Sequence, residues 1–185
     1  MLSKIFGHLR NIIVHKYWVY HFGRKLGIGR WQLLMHDMSK FSPTEFWESV
    51  KFYQGTSSPI PPCKVANGYS AAWQHHKGRN PHHYEYWTDL NRQTRQYESV
   101  PMPRKYLAEM VMDRRAACMV YQGKDYTPGS ALAYFEKSRE RILMHEKTRR
   151  ELEFILTMLR DEGEKVTFKY LKEQVLTGKP FPWEE

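Results

Sequence analysis

Nine histidines stand in this chain of 185 residues. Five of them lie beside another His or an Asp, in the pairs His36-Asp37, His75-His76 and His82-His83. Imidazole nitrogen and carboxylate oxygen are the donors that divalent Zn, Fe, Mn, Co and Ni accept. A carboxylate next to a histidine can also bridge two ions, because its two oxygens reach different partners. Two ions about 3.5–4 Å apart clamp both the attacking and the leaving oxygen of a phosphoryl displacement. Helical spacing adds two candidates. His15 shares a face with Ile12, Val19 and Phe22, so it should point inward. Asp113 shares a face with Met110 and Ala117, where an ionised carboxylate is costly unless it is paired or bound to metal.

Each residue also has a plainer reading. A lone inward His is more often a satisfied core residue than a ligand, and Asp113 could pair with Arg114 or Arg115. The combination is what points to metal: inward His15, His36-Asp37, a His-rich stretch over 75–83 and inward Asp113, in that order on successive helices.

The elements that must position these residues read as helices. The first covers about 3–27, with His8, Ile12, His15, Val19, Phe22 and Leu26 on one face, and stops at Gly27 and Gly29. A second covers roughly 30–38, and a third runs from Pro43 to about Tyr53 behind the start signal Ser42-Pro43-Thr44-Glu45. Residues 54–68, rich in Pro, Gly and Ser, read as a surface loop and a candidate lid. A fourth helix begins at Ser70 and breaks at Gly78 and Asn80-Pro81; a further one holds His82 to about Arg95. Another spans about 103–121, a long charged one 130–161, and a last one about 167–176. No segment alternates with period 2 over five or more residues. The expected fold is therefore all-α, a bundle of six to eight helices, with residues 1–125 as the core and 126–185 as a C-terminal helical extension packed on it.

Lys and Arg number 29 against 20 Asp and Glu, a formal charge of +9, which suits anionic partners or simply a soluble basic surface. Aromatics at 15% supply more apolar surface than a disordered chain carries. No run approaches the roughly 18–20 apolar residues of a membrane span. Two cysteines, Cys63 and Cys118, are too few for a disulfide framework or a thiolate zinc site. The opening stretch MLSKIFGHLRNIIVHK has no signal-peptide core, so the expected compartment is the cytoplasm.

The order His15, His36-Asp37, His76, His82-His83, Asp113 resembles the HD-domain metal-dependent phosphohydrolases, in particular the members with two metals. His36-Asp37-Met38-Ser39-Lys40 is similar to the HD-x-G-K stretch of HD-GYP cyclic-dinucleotide phosphodiesterases, with Ser39 in place of Gly and no counterpart of the GYP stretch. The pieces HKYWV, HDMSKFSPTEF, AWQHHKGRNPHHYEYW and MPRKYLAEMVMDRRAA also resemble an uncharacterised family of bacterial and phage proteins, over about residues 8–121.

The HD resemblance implies an HD-domain-like bundle and a ligand set. His15, His36, Asp37 and Asp113 would hold one ion; Asp37 would bridge to a second held by His76, His82 and His83. Lys40 would meet substrate phosphate, with Arg79 and Arg104 as looser candidates. His21 rivals His15 from a more polar face, His75 rivals His76, and His83 could instead orient a ligand. Glu45, Glu85 and Glu109 are spare carboxylates; Glu109, one turn before Asp113, could support a ligand or orient a water in catalysis. Trp73, Tyr84, Tyr86 and Trp87 could stack a base or fill core.

The implied activity is hydrolysis of a nucleotide or another small phosphate ester by metal-activated water. Two alternatives share these residues. HD-like di-iron oxygenases use nearly the same ligand set. A basic module binding nucleic acid would need no metal, but the basic residues are scattered and no zinc finger, RRM or bZIP signature occurs.

Overall fold

Helix α1 runs over Leu2–Leu26 and buries His8, Ile12, His15, Val19, Phe22 and Leu26, the face that the spacing predicts. It ends at Gly27, whose φ of 86° is the left-handed cap that favours glycine. Helix α2, Arg30–Met35, then folds back against α1. The two approach so closely that a Cβ at Gly23 would lie 2.3 Å from Leu33 Cδ2. Lys16 fastens the far end of α2 by donating to the Leu34 carbonyl at 3.1 Å and to the His36 carbonyl. These elements belong to a computed structural model that describes residues 1–184.

A short 3-10 turn, Met38–Phe41, leads into α3, Pro43–Lys51, with Ser42 as its N-cap. Helices α4, Ile60–Asn67, and α5, Ala71–Lys77, follow. At the start of α5, Ser70 Oγ accepts from the Trp73 N–H at 3.0 Å, while Glu48 of α3 accepts from the Ala71 and Ala72 N–H groups at 3.2 and 2.9 Å. That clamp fixes α5, which carries His76, against α3. Helix α6, Arg104–Gln122, packs on α1 and meets α7, Ser130–Glu136, and α8, Glu146–Tyr170. One apolar core joins them: Phe22 of α1, Leu107 and Val111 of α6, Phe135 of α7, and Leu152 and Leu156 of α8. No described helix is long and apolar enough to cross a membrane.

Among the described residues the fold is all-α in its architecture, with eight α-helices, the long C-terminal α8 included, plus one small hairpin. The hairpin corrects the expected helix over 82–95. Tyr84–Tyr86 forms a 3-10 turn, and Thr88–Asn91 (β1) pairs antiparallel with Gln96–Ser99 (β2), Thr88 opposite Ser99. Asn91 Oδ1 accepts from the Gln93 N–H at 2.9 Å, a turn that competes with helix, and four-residue strands are too short for an alternation test. The expected loop 54–68 contains α4, because Pro61 and Pro62 fall in a first turn that has no use for their missing N–H groups. The expected continuous helix 130–161 is broken between α7 and α8, where His145 caps α8. The separate helix expected over 167–176 is instead the end of α8, kinked at Gly163 with φ 78° and finished by a π turn over Leu171–Val175.

Candidate metal centre

Four stretches of chain bring the polar residues together. His15 comes from α1, His36 and Asp37 from the turn after α2, His76 from α5 with His82 and His83 just beyond it, and Asp113 from α6. Asp37 sits at the hub, fully buried, and its φ of 57° puts a non-glycine residue in the left-handed region. Such strain persists only where the surroundings hold it, often at functional sites.

The side chains form two groups that share Asp37: His15, His36, Asp37 and Asp113, and Asp37, His76, His82 and His83. Within each group the candidate ligand atoms lie within 4.8 Å of one another. In the first, His15 Nε2 is 3.2 Å from Asp37 Oδ2, 3.0 Å from Asp113 Oδ1 and 3.3 Å from His36 Nε2. In the second, Asp37 Oδ1 is 3.3 Å from His76 Nε2 and 3.4 Å from His82 Nε2, and His76 Nε2 is 2.9 Å from His83 Nε2. Donors about 2.0–2.1 Å from a shared tetrahedral ion stand about 3.3 Å from each other, so these separations match those of ligands round an ion.

Proton placement supports the same reading. Glu109 Oε1 accepts from His36 Nδ1 at 2.8 Å and lies 3.4 Å from His82 Nδ1; Glu45 Oε2 accepts from His76 Nδ1 at 2.7 Å. An ionised carboxylate only accepts, so His36 and His76 each donate from Nδ1, which leaves Nε2, the nitrogen turned to the cluster, as the one a cation would take. This is the carboxylate–histidine arrangement that orients metal ligands. Gln32 Nε2 in turn donates to Glu109 Oε2 at 2.5 Å. Asp37 Oδ1 and His82 Nε2 are buried and have no hydrogen-bond partner. Left so, they are costly; a cation between them satisfies both. The donor set of imidazole nitrogen and carboxylate oxygen is therefore one that could hold metal ions.

The electrostatics show the same demand for positive charge. Burial alone would lower the His36 pKa, but the Asp37, Asp113 and Glu109 carboxylates hold it well above its ordinary value. Burial opposes ionisation of Asp37, yet His36, Lys40 and His76 keep its carboxyl well below the usual range. Glu109 is drawn down to about 2, against burial, by His36 and His82. Lys40 Nζ sits 2.5 Å from Asp37 Oδ2, and the Asp37 and Asp113 charges raise its pKa although burial opposes them.

A cavity of about 630 Å³ adjoins these groups, with His15, Lys40, His76, His83 and Asp113 among its lining residues. Thr56, Ser57 and Ser58 of the expected lid segment form part of its wall, as do Trp73 and Tyr84. Tyr86 is exposed instead, and Trp87 Nε1 donates to the Pro81 carbonyl at 2.7 Å. Arg79 and Arg104 do not reach the cavity. Arg79 donates to the His75 carbonyl at 3.3 Å, and Arg104 pairs with Glu184 at 2.6 Å. His21 stacks on Tyr17, with ring centroids 5.9 Å apart, outside both groups. His75 Nδ1 faces Glu45 Oε1 at 2.6 Å rather than the cluster. Glu45, read only as a spare carboxylate, thus orients His76. Its signal in the sequence was its place three residues after an N-cap serine, which says helix start and nothing about a partner on α5.

Fold and site together define a helical protein with buried His, Asp and Glu groups that could hold metal ions. Residues 4–158 match a family of unknown function (DUF5662), and the chain belongs to that family. No curated protein and no solved structure matches it.

Proposed function

We propose that this chain is a metal-dependent hydrolase of small phosphate esters, with a two-ion centre bridged by Asp37. The observation that carries the reading is the division of Asp37 between two donor groups: Oδ2 faces His15 and His36, and Oδ1 faces His76 and His82. A single structural ion would need only one such group. The order of the residues along the chain, similar to that of the two-metal HD-domain phosphohydrolases, supports the same assignment.

His15, His36, Asp37 and Asp113 would hold one ion, and Asp37, His76, His82 and His83 the other. Bound there, divalent ions supply Lewis acidity to a phosphoryl group and bring the pKa of water toward neutrality. The chain's own residues do the rest. Glu109 and Glu45 keep the Nδ1 protons of His36 and His76 and aim both Nε2 lone pairs inward. Glu109 is on this reading a positioning residue, since it stands behind the imidazoles and not in the cavity wall. Lys40, one of the cavity's lining residues, would offer its ammonium to a phosphate oxygen.

The test is elemental analysis of the purified protein together with hydrolysis of p-nitrophenyl phosphate. The expected result is about two transition-metal ions per chain, with loss of both ions and of turnover in Asp37→Ala. Intact turnover in that variant refutes the assignment.

A further inference from the structure

The outer face of α1 is apolar where the outer faces of the other long helices are not. Leu2, Phe6, Ile13 and Tyr17 follow one another at spacings of four and seven, so they share one side of the helix, opposite the buried His8, Ile12, His15 and Val19. Each is more than half exposed, at 69, 66, 54 and 58%. Helix α8 is also 25 residues long but exposes one large apolar side chain, Val166, and α6 exposes none. Trp31, Leu34 and Met35 of α2 are exposed as well. The bonds from Lys16 to the Leu34 and His36 carbonyls hold that second patch beside α1. Single exposed apolar side chains are ordinary; a row of them along one helix marks a surface that something covers.

The charge of the same region says what covers it. Residues 1–36 hold six Lys and Arg and no Asp or Glu, so they supply two thirds of the formal charge of +9. Arg10 flanks the row on α1 and is exposed, as are Lys25 and Arg30. A second copy laid on this face across a two-fold axis would set positive charge against positive charge. A nucleic acid would match the charge but leave Leu2, Phe6 and Ile13 without apolar partners. An anionic bilayer matches both. Its acyl boundary takes the apolar row, and its headgroups take the guanidinium and ammonium groups, whose long stems reach past that row. Tyr17 suits the boundary between the two layers.

We propose that the outer face of α1 docks on the surface of a lipid bilayer that carries anionic headgroups, with α1 lying in the interface plane and Leu2, Phe6, Ile13 and Tyr17 in the acyl boundary. No described helix is long and apolar enough to cross a membrane, so the chain would lie on the bilayer. The proposal uses none of the candidate ligand side chains, and it stands or falls apart from the hydrolase reading.

The experiment is flotation of the full chain with vesicles of phosphatidylcholine alone, and with vesicles of equal parts phosphatidylcholine and phosphatidylglycerol. The chain should float with the mixed vesicles and not with pure phosphatidylcholine, and added salt should weaken the binding. Phe6→Ser with Ile13→Ser, which leaves the charge unchanged, should weaken it at least about tenfold. Arg10→Gln should weaken it about fivefold. Leu2→Ser with Tyr17→Ser is a second apolar pair, and it serves if the first does not keep the parent's helical circular dichroism. Binding that survives both apolar pairs is attraction of charge alone and overturns the proposal. Equal binding to the two vesicles, an unchanged affinity in Arg10→Gln, or no binding to either vesicle overturns it too. Sedimentation equilibrium without lipid reads the rival occupant: a dimer that Phe6→Ser with Ile13→Ser dissolves gives the face to a second copy. Duplex DNA bound more tightly than the mixed vesicles gives it to nucleic acid. Either result removes the lipid assignment.

Discussion

Helices α1 and α6 each run through two interiors of opposite character. Toward its C-terminus α1 gives Val19, Phe22 and Leu26 to the apolar core, and toward its N-terminus it gives His8, Asn11 and His15 to the cavity and the polar cluster. Helix α6 sends Leu107 and Val111 one way and Glu109 and Asp113 the other. The apolar interior is sufficient in itself, since each buried methylene contributes about 0.8 kcal/mol wherever it packs. The polar interior holds four carboxylates, Asp37, Glu45, Glu109 and Asp113, against five imidazoles, those of His15, His36, His76, His82 and His83. Buried ion pairs of this kind roughly break even against desolvation and add little stability. On the metal-centre reading, such a cluster beside the hydrophobic core is kept for the ions it would bind. The two interiors should therefore respond differently to mutation and to chelation.

The largest stability effect belongs to the apolar side. Leu156 is fully buried in α8, and Leu156→Ala should cost about 2–5 kcal/mol through lost transfer energy and the cavity left behind. Urea unfolding with and without a chelator should show the same loss, because Leu156 takes no part in either ion group. Glu109→Gln should do the opposite. It weakens ion binding by about 10–100-fold, as removal of a ligand's hydrogen-bond partner does, so it costs the loaded protein more than the chelated one. Competition with a metal-sensitive dye measures that affinity directly. Equal destabilisation of the chelated and loaded forms by Glu109→Gln would mean that the cluster is structural, and the contrast between the interiors would vanish.

The contrast also explains what could be read in the sequence. The long helical faces were legible because burial imposes a period: His8, Ile12, His15, Val19, Phe22 and Leu26 are all buried as their spacing requires. The same logic marked His15 and Asp113 as inward, and His36-Asp37 as neighbours by covalent structure alone. What failed were short elements with local chemistry of their own. The hairpin over Thr88–Ser99 has strands of four residues, and the prolines of α4 look like loop until their place in the first turn is known. Arg79 and Arg104 were candidates by charge only, and charge does not fix direction. Glu45 acts across elements, with partners 30 and 31 positions away in His75 and His76, and no periodicity encodes such a pairing.

The smallest effect sits between the two interiors, at the clamp that holds α5 and so His76. Glu48 Oε1 accepts from the Ser70 hydroxyl at 2.5 Å as well as from the Ala72 N–H, and Ser70 passes the contact on to Trp73. Burial pushes the Glu48 pKa up, but the Ser70 and Ala72 donors outweigh it and hold the carboxyl below its ordinary 4.5. The folded chain thus binds this proton less readily than the unfolded one. The clamp's contribution is complete above pH 4.5 and is lost as the pH falls through the lower folded value. Glu48→Gln should cost about 1 kcal/mol at pH 7, the size of a helix-cap contact. The difference from the parent protein should shrink once the pH drops below the ordinary carboxyl value, because protonation then removes from the parent the charge that the variant already lacks. Chemical unfolding at a series of pH values measures it. A difference that stays constant across the series would show that the charge on Glu48 contributes nothing to holding α5, and that His76 is placed by packing alone.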